Sequence, residues 1–308
     1  MTTGIYSHPD CKRHEMGSWH PECPARLEAI EDQLIASRID AFLEQREAPE
    51  VDMADIERVH SNEAVARVRD NVPIAGYYPL DADTLLNPYS WNAAMRAAGA
   101  AVAATDAVIA GELQNAFCAV RPPGHHARPS EAMGFCLFGN VAIAARRALD
   151  VHGLKRVAVV DFDVHHGNGT EEALAGDDRV LMVSFFQHPF YPYSGVPAMG
   201  PNMVNLPVPA YTKGDEVRRL VTEQWLPALH AHRPEMIFIS AGFDAHREDD
   251  LGQMCLVEDD YAWITRQIMD VAKEHAQGRI VSCLEGGYNL SALARSVVAH
   301  LKVLAEID

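Results

Sequence analysis

The chain has 308 residues, 48% of them hydrophobic, and its 43 acidic residues outnumber 26 basic ones, giving a formal net charge of −17. A chain of this length can bury one large core, and since no composition break divides it, we predict a single domain over 1–308. Its acidity argues against binding to nucleic-acid phosphates and favours positively charged substrates such as lysine tails or polyamines.

Short apolar runs alternate with longer segments of helical periodicity along the chain. The predicted strands are Phe117–Val120, Arg156–Asp161, Val180–Phe185, Met236–Ser240 and Arg279–Leu284. The predicted helices are Pro24–Arg38, Trp91–Ala110, Asn140–Val151, Gly214–His230, Asp259–His275 and Ser291–Ile307. This alternation is typical of an α/β fold in which a mostly parallel central sheet carries helices on both faces.

Four of the five predicted strands lead directly into clusters of Gly, His, Asp or Tyr. In chain order the clusters read RPPGHHA, DFDVHHGNGT, SAGFDAH and LEGGYNL. Ligands of open α/β sheets bind outside the carboxyl ends of the strands. We therefore expect the four clusters to converge on one site.

The second cluster carries Asp161, Asp163 and His165 at a spacing of two residues. On extended backbone these side chains point to one side, where a carboxylate and an imidazole can reach a single zinc ion. A buried, hydrogen-bonded Asp–His pair would give the same motif, and the spacing alone leaves both alternatives open. Asp244 in the third cluster is placed to add a carboxylate, although an Asp there is also common as a turn or helix-cap residue.

The first and fourth clusters carry groups suited to proton transfer. The adjacent His125 and His126 could act as general acid and base, each tuned by its own hydrogen-bond partner. Tyr288 follows two glycines that let the backbone turn sharply, and its phenol could donate to a developing oxyanion. Taken singly, these residues could simply pack. Together the four clusters supply a metal, a base, an acid and an oxyanion donor, which is the set of a hydrolase site.

These four strings resemble the histone deacetylase superfamily, which includes bacterial acetylpolyamine amidohydrolases and acetoin-utilisation proteins, and they are most similar to its class II branch. The resemblance runs from HPECPARL to GGYNL and takes in AAGAAV, GFCLFGN and DDLGQM. It implies the arginase/deacetylase-like fold. It also implies a zinc-dependent deacetylase that hydrolyses linear amide C–N bonds, with one Zn²⁺ per chain and a structural K⁺.

Carried over position by position, the resemblance assigns roles to residues of this chain. The zinc ligands it implies are Asp163, His165 and Asp244. The catalytic residues it implies are His126 as main general base, His125 buffered by Asp161, Asn168 as the partner of His126, and Tyr288. The potassium ligands it implies are Asp161, Ser184 and Phe185, together with Asp163 and His165. The substrate-binding residues it implies are Gly134, through its carbonyl, Phe135 as a tunnel wall, and Arg26 on an acetate-exit path.

The resemblance leaves the substrate open. An acetylated lysine side chain is the first choice, and an acetylated polyamine, a small metabolite or a longer acyl chain would use the same chemistry. The second tunnel wall is expected within Phe185–Gly195, and the shortened stretch Ala198–Pro207 alters the rim. A polyamine-deacetylase type of dimer is not expected because the N-terminal segment is short. The oligomeric state and the choice between zinc and iron(II) stay open.

Two other functional classes fit the sequence less well. A manganese ureohydrolase of the arginase type would need further carboxylates where this chain has Gly167 and His246. A catalytically inactive acyl-lysine binding module would be expected to lack Tyr288, one of the adjacent histidines His125 and His126, or a metal ligand. The sequence retains them all.

The remaining sequence features concern the compartment. No apolar run approaches the roughly 18 residues of a membrane span, and the first residues lack the apolar stretch of a secretory signal. The six cysteines form no CxxC pair, so the sequence indicates neither a zinc knuckle nor a disulfide framework. We expect a cytoplasmic protein that binds neither membranes nor nucleic acid.

Overall fold

The computed structural model describes residues 2–307. Its strands are β1 (Thr3–Ser7), β2 (Leu43–Glu47), β3 (Tyr78–Pro79), β4 (Leu85–Leu86), β5 (Asn115–Cys118), β6 (Val157–Asp161), β7 (Val180–Gln187), β8 (Met203–Val208), β9 (Met236–Ala241) and β10 (Ile280–Leu284). Its α-helices are α1 (Ala25–Ser37), α2 (Met53–Ile56), α3 (Asn62–Arg69), α4 (Ser90–Ile109), α5 (Asn140–Asp150), α6 (Asn168–Leu174), α7 (Gly214–Leu220), α8 (Leu226–His232), α9 (Glu258–His275) and α10 (Leu290–Leu304).

The eight longer strands form one sheet in the order β2-β1-β5-β10-β9-β6-β7-β8, and every neighbouring pair is parallel. Strands β3 and β4 form a separate antiparallel pair. The central strands are buried along their whole length, as parallel strands covered on both faces must be. The predicted fold class is confirmed.

Two layers of helices cover the sheet. Helix α10 contacts both α1 and α9 in one layer, and α4 packs against α5 in the other. A short π-helical segment, Val221–Trp225, joins α7 to α8, so the predicted helix over Gly214–His230 is one continuous helical run with a local widening. None of the described helices is long and apolar enough to cross a membrane.

The five predicted strands are confirmed, with shifts of one or two residues at their ends. The sequence prediction missed β1, β2 and β8. Strands β2 and β8 are the two edges of the sheet. The first reads LEQRE and the second carries Pro207, and charged residues and proline are usual on edge strands but weaken the apolar pattern of a buried one.

The sheet order brings the four polar clusters together. The strands that precede them are β5, β6, β9 and β10, which lie side by side as β5-β10-β9-β6. Because all four are parallel, their carboxyl ends meet at the same edge of the sheet. The fold therefore places the four clusters next to one another, as the sequence predicted.

The core beneath the site offers a test of the sheet packing. Phe238 lies in β9 with none of its surface exposed, whereas Phe42 is 62% exposed. We expect Phe238→Ala to lower the free energy of unfolding by about 3–5 kcal/mol, because it leaves a cavity in the central strand. Phe42→Ala should change it by about 0.5 kcal/mol or less. Equal losses for the two variants in urea unfolding would contradict this packing.

Candidate metal centre and active site

Three side chains from two adjacent strands meet at the centre of the site. Asp163 and His165 follow β6, and Asp244 follows β9. The Nδ1 atom of His165 lies 3.0 Å from Oδ1 of Asp163 and 3.2 Å from Oδ2 of Asp244. Both carboxylates are completely buried. The predicted zinc ligands therefore converge within the reach of one ion.

The carboxylate oxygens of this triad are fixed by backbone donors, with one exception. Val164 N–H donates to Oδ1 of Asp244 at 2.9 Å, and Gly286 N–H donates to Oδ2 of Asp163 at 2.9 Å. Within the described residues, Oδ2 of Asp244 is buried and accepts no hydrogen bond. A buried carboxylate oxygen without a donor is costly unless a cation neutralises it. The two carboxylates and the imidazole are ligands that zinc accepts, and a bound zinc ion would neutralise Oδ2 of Asp244.

Two glycines lie so close to the carboxylates of Asp163 and Asp244 that a larger residue would not fit in their place. A Cβ atom at Gly242 would collide with the Asp163 carboxylate, and one at Gly286 would collide with the Asp244 carboxylate. The backbones of β9 and β10 can thus approach the two acidic side chains closely. The GG of LEGGYNL and the G of SAGFDAH therefore shape the metal centre as well as the turns.

The pKa shifts of the triad show that its two buried carboxylates favour a positive charge between them. Burial, together with the negative charge of Asp163, raises the pKa of Asp244 to about 7. Burial alone would lower the pKa of His165, but the hydrogen bond to Asp163 and the negative charges of both carboxylates outweigh it and raise that pKa to about 10. The imidazole therefore carries a proton whenever no other cation is bound between these carboxylates.

The tandem histidines lie beside the triad, and each ring is oriented by a different partner. His125 Nδ1 donates to Oδ2 of Asp161 at 3.0 Å, and His126 Nδ1 donates to Oδ1 of Asn168 at 2.8 Å. The ring centroids are 4.0 Å apart. Both partners sit as predicted, one at the end of β6 and the other at the start of α6.

The two partners give the histidines opposite pKa shifts. Burial would lower the pKa of His125, but the carboxylates of Asp163 and Asp161 reverse this and raise it well above its usual value. Burial and the positive charges of His125 and His165 hold the pKa of His126 well below its usual value. One ring is thus cationic at neutral pH and the other is neutral, with its Nε2 free to accept a proton.

Tyr288 faces the same space from the end of β10. The side chain of Asp249 holds its backbone, since Oδ2 accepts from Tyr288 N–H at 2.6 Å and from Asn289 N–H at 3.0 Å. The ring packs edge-on against Phe135, with centroids 5.8 Å apart, and Arg26 lies 5.0 Å from its centre. Burial raises the pKa of the phenol well above its usual value, so it stays a hydrogen-bond donor.

Three of these groups, His126, His165 and Tyr288, line a pocket of about 300 Å³ at the carboxyl edge of the sheet. Its lining residues are Asp83, His126, Gly134, Phe135, His165, Phe190, Tyr191, Asp250, Leu251 and Tyr288. Phe135 has a φ of +68°, an unusual conformation for an aromatic residue that stores strain next to the site. Phe190 stacks on His165 with centroids 5.3 Å apart and supplies the opposite wall, within the segment where a second wall was expected.

Arg26 lies beneath the pocket in a fully buried charge network. Its guanidinium donates to the carbonyl of Gly287 at 2.6 Å and to Oε1 of Glu22 at 3.1 Å. Arg121, also fully buried, pairs with the same carboxylate. Burial would raise the pKa of Glu22, but Arg121 outweighs it and lowers that pKa to about 2. The network fixes the floor of the site, and a path for acetate beside Arg26 stays a prediction.

Three of the residues predicted for potassium lie on the neighbouring strands β6 and β7, and the other two, Asp163 and His165, belong to the triad. Asp161 and Ser184 are register partners on β6 and β7, and Phe185 follows on β7. Asp161 also accepts a hydrogen bond from Asp163 N–H at 3.1 Å. The arrangement places these residues next to one another, and a bound K⁺ stays a prediction.

Sequence reasoning missed three buried carboxylates that hold the site together: Glu22, Asp249 and Glu285. Oε2 of Glu285 accepts from Gly124 N–H at 2.6 Å and from His125 N–H at 3.1 Å, and burial raises its pKa to about 7. Each lies inside a motif quoted above, namely HPECPARL, DDLGQM and LEGGYNL. An acidic residue within an apolar or glycine-rich string was the available signal.

Comparisons with known proteins identify the family to which the chain is related. The model of the histone deacetylase domain matches residues 20–304. The histone deacetylase-like amidohydrolase of Pseudomonas aeruginosa is 40% identical over 277 residues, covering 88% of this chain and 73% of that protein. A probable deacetylase of Archaeoglobus fulgidus is 37% identical over 320 residues, covering 100% of this chain and 88% of its own length.

A solved structure extends the likeness to three dimensions. The crystal structure of the HDA15 HD domain matches with a TM-score of 0.93 and 34% sequence identity, covering 99% of this chain and 90% of that one. The family model and the two relatives together span nearly the whole described chain. The chain therefore belongs to the histone deacetylase family of amidohydrolases.

Proposed function

We propose that this chain is a zinc-dependent deacylase that removes acetyl or similar acyl groups from amine nitrogens, with acyl-lysine side chains as first-choice substrates. The observation that carries the proposal is the convergence of three groups on one pocket. His165, which forms a triad with Asp163 and Asp244, lines this pocket together with the buried His126 and the phenol of Tyr288. This set suits metal-assisted attack of water on an amide.

Zinc held by Asp163, His165 and Asp244 would polarise the amide carbonyl and lower the pKa of water from 15.7 to about 7. The chain's own residues then manage the protons. His126 has its Nδ1–H engaged by Asn168, so its Nε2 accepts the proton of the attacking water. Burial, together with the positive charge of His125 whose ring centroid is 4.0 Å away, keeps the pKa of His126 low, which favours return of that proton to the leaving amine.

Tyr288 and Gly134 position the acyl group. The phenol is protonated at neutral pH and faces the pocket, so it donates to the oxyanion as the carbonyl is attacked. The carbonyl of Gly134, on the strained turn before Phe135, accepts from the substrate amide N–H. Phe135 and Phe190 hold an alkyl chain between them and exclude water from it.

Potassium forms part of the proposal as a structural ion. Asp161, Ser184 and Phe185, with Asp163 and His165, would hold it through side-chain and backbone oxygens. An additional cation there would help to offset the charge of Asp161, whose carboxylate is buried and whose pKa burial raises.

The pocket mouth favours substrates that carry an amine elsewhere in the molecule. Asp83 and Asp250 line the pocket along with the two phenylalanine walls. Thr84 links the rim to one wall, since its hydroxyl accepts from Phe135 N–H at 3.0 Å and donates to Asp83 at 3.1 Å. Two carboxylates at the mouth of a chain with a net charge of −17 attract basic peptides and acylated polyamines alike.

Replacing Tyr288 tests the oxyanion role. We expect Tyr288→Phe to lower kcat about 10²–10³-fold with little change in KM, because one transition-state donor is lost and the ring is kept. Tyr211→Phe is the matched control, since that tyrosine is 69% exposed. Deacetylation of an acetyl-lysine peptide is the assay, and a Tyr288→Phe enzyme with near-wild-type kcat would exclude the role.

Replacing a triad carboxylate tests the metal assignment. We expect Asp244→Ala to lose most of the bound zinc and with it the activity, because a three-ligand site is reduced to two. Asp178→Ala, at an exposed position, should keep both. Metal content after dialysis is the measurement. An Asp244→Ala protein that retains stoichiometric zinc at this site would refute the ligand assignment.

Replacing the rim carboxylates tests the charge preference of the substrate. We expect Asp83→Asn and Asp250→Asn each to lower kcat/KM for a monoacetylated diamine by about 1.5–5-fold, the effect of one partly exposed charge pair. An acetylated alkylamine of equal length and no charge should be unaffected. Raising the salt concentration should reduce the difference. Equal losses for the two substrates would show that these carboxylates do not select for charge.

A further inference from the structure

A second cluster of potential metal ligands lies at the opposite end of the strands from the active site. His230 is in the last turn of α8, and Glu274 and His275 end α9. The strands that follow these helices, β9 and β10, begin a few residues later. The cluster therefore lies at the amino ends of the strands whose carboxyl ends carry the catalytic groups.

The ligand atoms of this cluster form a small triangle. Nδ1 of His230 lies 3.0 Å from Nε2 of His275 and 3.4 Å from Oε2 of Glu274. Nε2 of His275 lies 3.4 Å from Oε1 of the same carboxylate. Zinc binds nitrogen and oxygen at about 2.0–2.2 Å, so two of its ligands in a tetrahedron are about 3.3–3.5 Å apart. The two 3.4 Å edges match that spacing, whereas the 3.0 Å edge is a hydrogen bond between the rings that a bound ion would replace. The exposed side chains of His230 and Glu274 leave a fourth position open to solvent.

The surroundings of the triangle favour a cation. It lies at the carboxyl-terminal ends of both α8 and α9, where the partial negative charge of each helix dipole is located. The side chain of His275 is only 10% exposed, so its ring is held by packing before any ion binds. The two rings meet edge to face, with centroids 5.2 Å apart, and one nitrogen of each lies 3.0 Å from the other.

We propose that His230, Glu274 and His275 form a second, surface zinc-binding site that joins the end of α8 to the end of α9. Two imidazoles and one carboxylate suit a borderline divalent ion, and copper(II) or nickel(II) would bind there as well. The two helices already contact each other. An ion shared between them ties the helix before β9 to the helix before β10 and stabilises the folded chain, because it binds this geometry and not the unfolded chain.

Zinc stoichiometry separates this site from the catalytic one. Purified protein is dialysed against excess Zn²⁺, passed through a desalting column and analysed for metal per chain. We expect the wild type to hold one more equivalent of zinc than His230→Ala, His275→Ala or the double variant. The same three variants should keep the wild-type rate of deacetylation, and added Zn²⁺ should raise the Tm of the wild type more than that of the double variant.

His152→Ala is the matched control, because that histidine is also partly exposed and bonded to one carboxylate, Asp106, at 2.6 Å. It should keep the extra equivalent. Asp244→Ala should lose the catalytic equivalent and keep this one, so failure of either site is seen independently. Equal zinc content in the wild type and the folded His230→Ala/His275→Ala variant, checked by circular dichroism, would overturn the proposal.

Discussion

The structure is organised around negative charge that is buried at the carboxyl edge of the sheet. Asp161, Asp163, Asp244 and Glu285 are almost or completely buried and come from three adjacent strands, β6, β9 and β10. Burying several carboxylates in one place is costly unless each is paired or hydrogen-bonded. The site must therefore supply positive charges and hydrogen-bond donors close to these carboxylates.

Several kinds of group supply these donors and positive charges. Backbone N–H groups satisfy most of the carboxylate oxygens, while His125 and His165 supply charge. One oxygen of Asp244 is left without a donor, and it faces the other two triad ligands. This is where a metal ion would relieve the remaining cost. Burial and the charge on His125 together lower the pKa of His126, so a group that offsets the buried negative charge also helps to keep the base neutral.

The sequence predicted the sheet, its central strands and the convergence of the four clusters, because alternation and strand-end motifs are local signals. The edge strands were missed since LEQRE and Pro207 carry no buried-strand pattern. Phe190 could be placed only within a range, because its contact with His165 depends on how the loop after β7 folds back. Glu22 and Asp249 escaped notice because their partners, Arg121 and the backbone of Tyr288, are 99 and 39 residues away in the chain.

If these residues hydrolyse an amide with the help of zinc, turnover must depend on bound metal. The most direct measurement is acetate release from an acetyl-lysine peptide by the purified chain, before and after treatment with a chelator and again after Zn²⁺ is added back. We expect turnover that the chelator abolishes and zinc restores. Turnover that survives complete removal of metal, or its absence in fully zinc-loaded protein across acyl-lysine and acylpolyamine substrates, would contradict it.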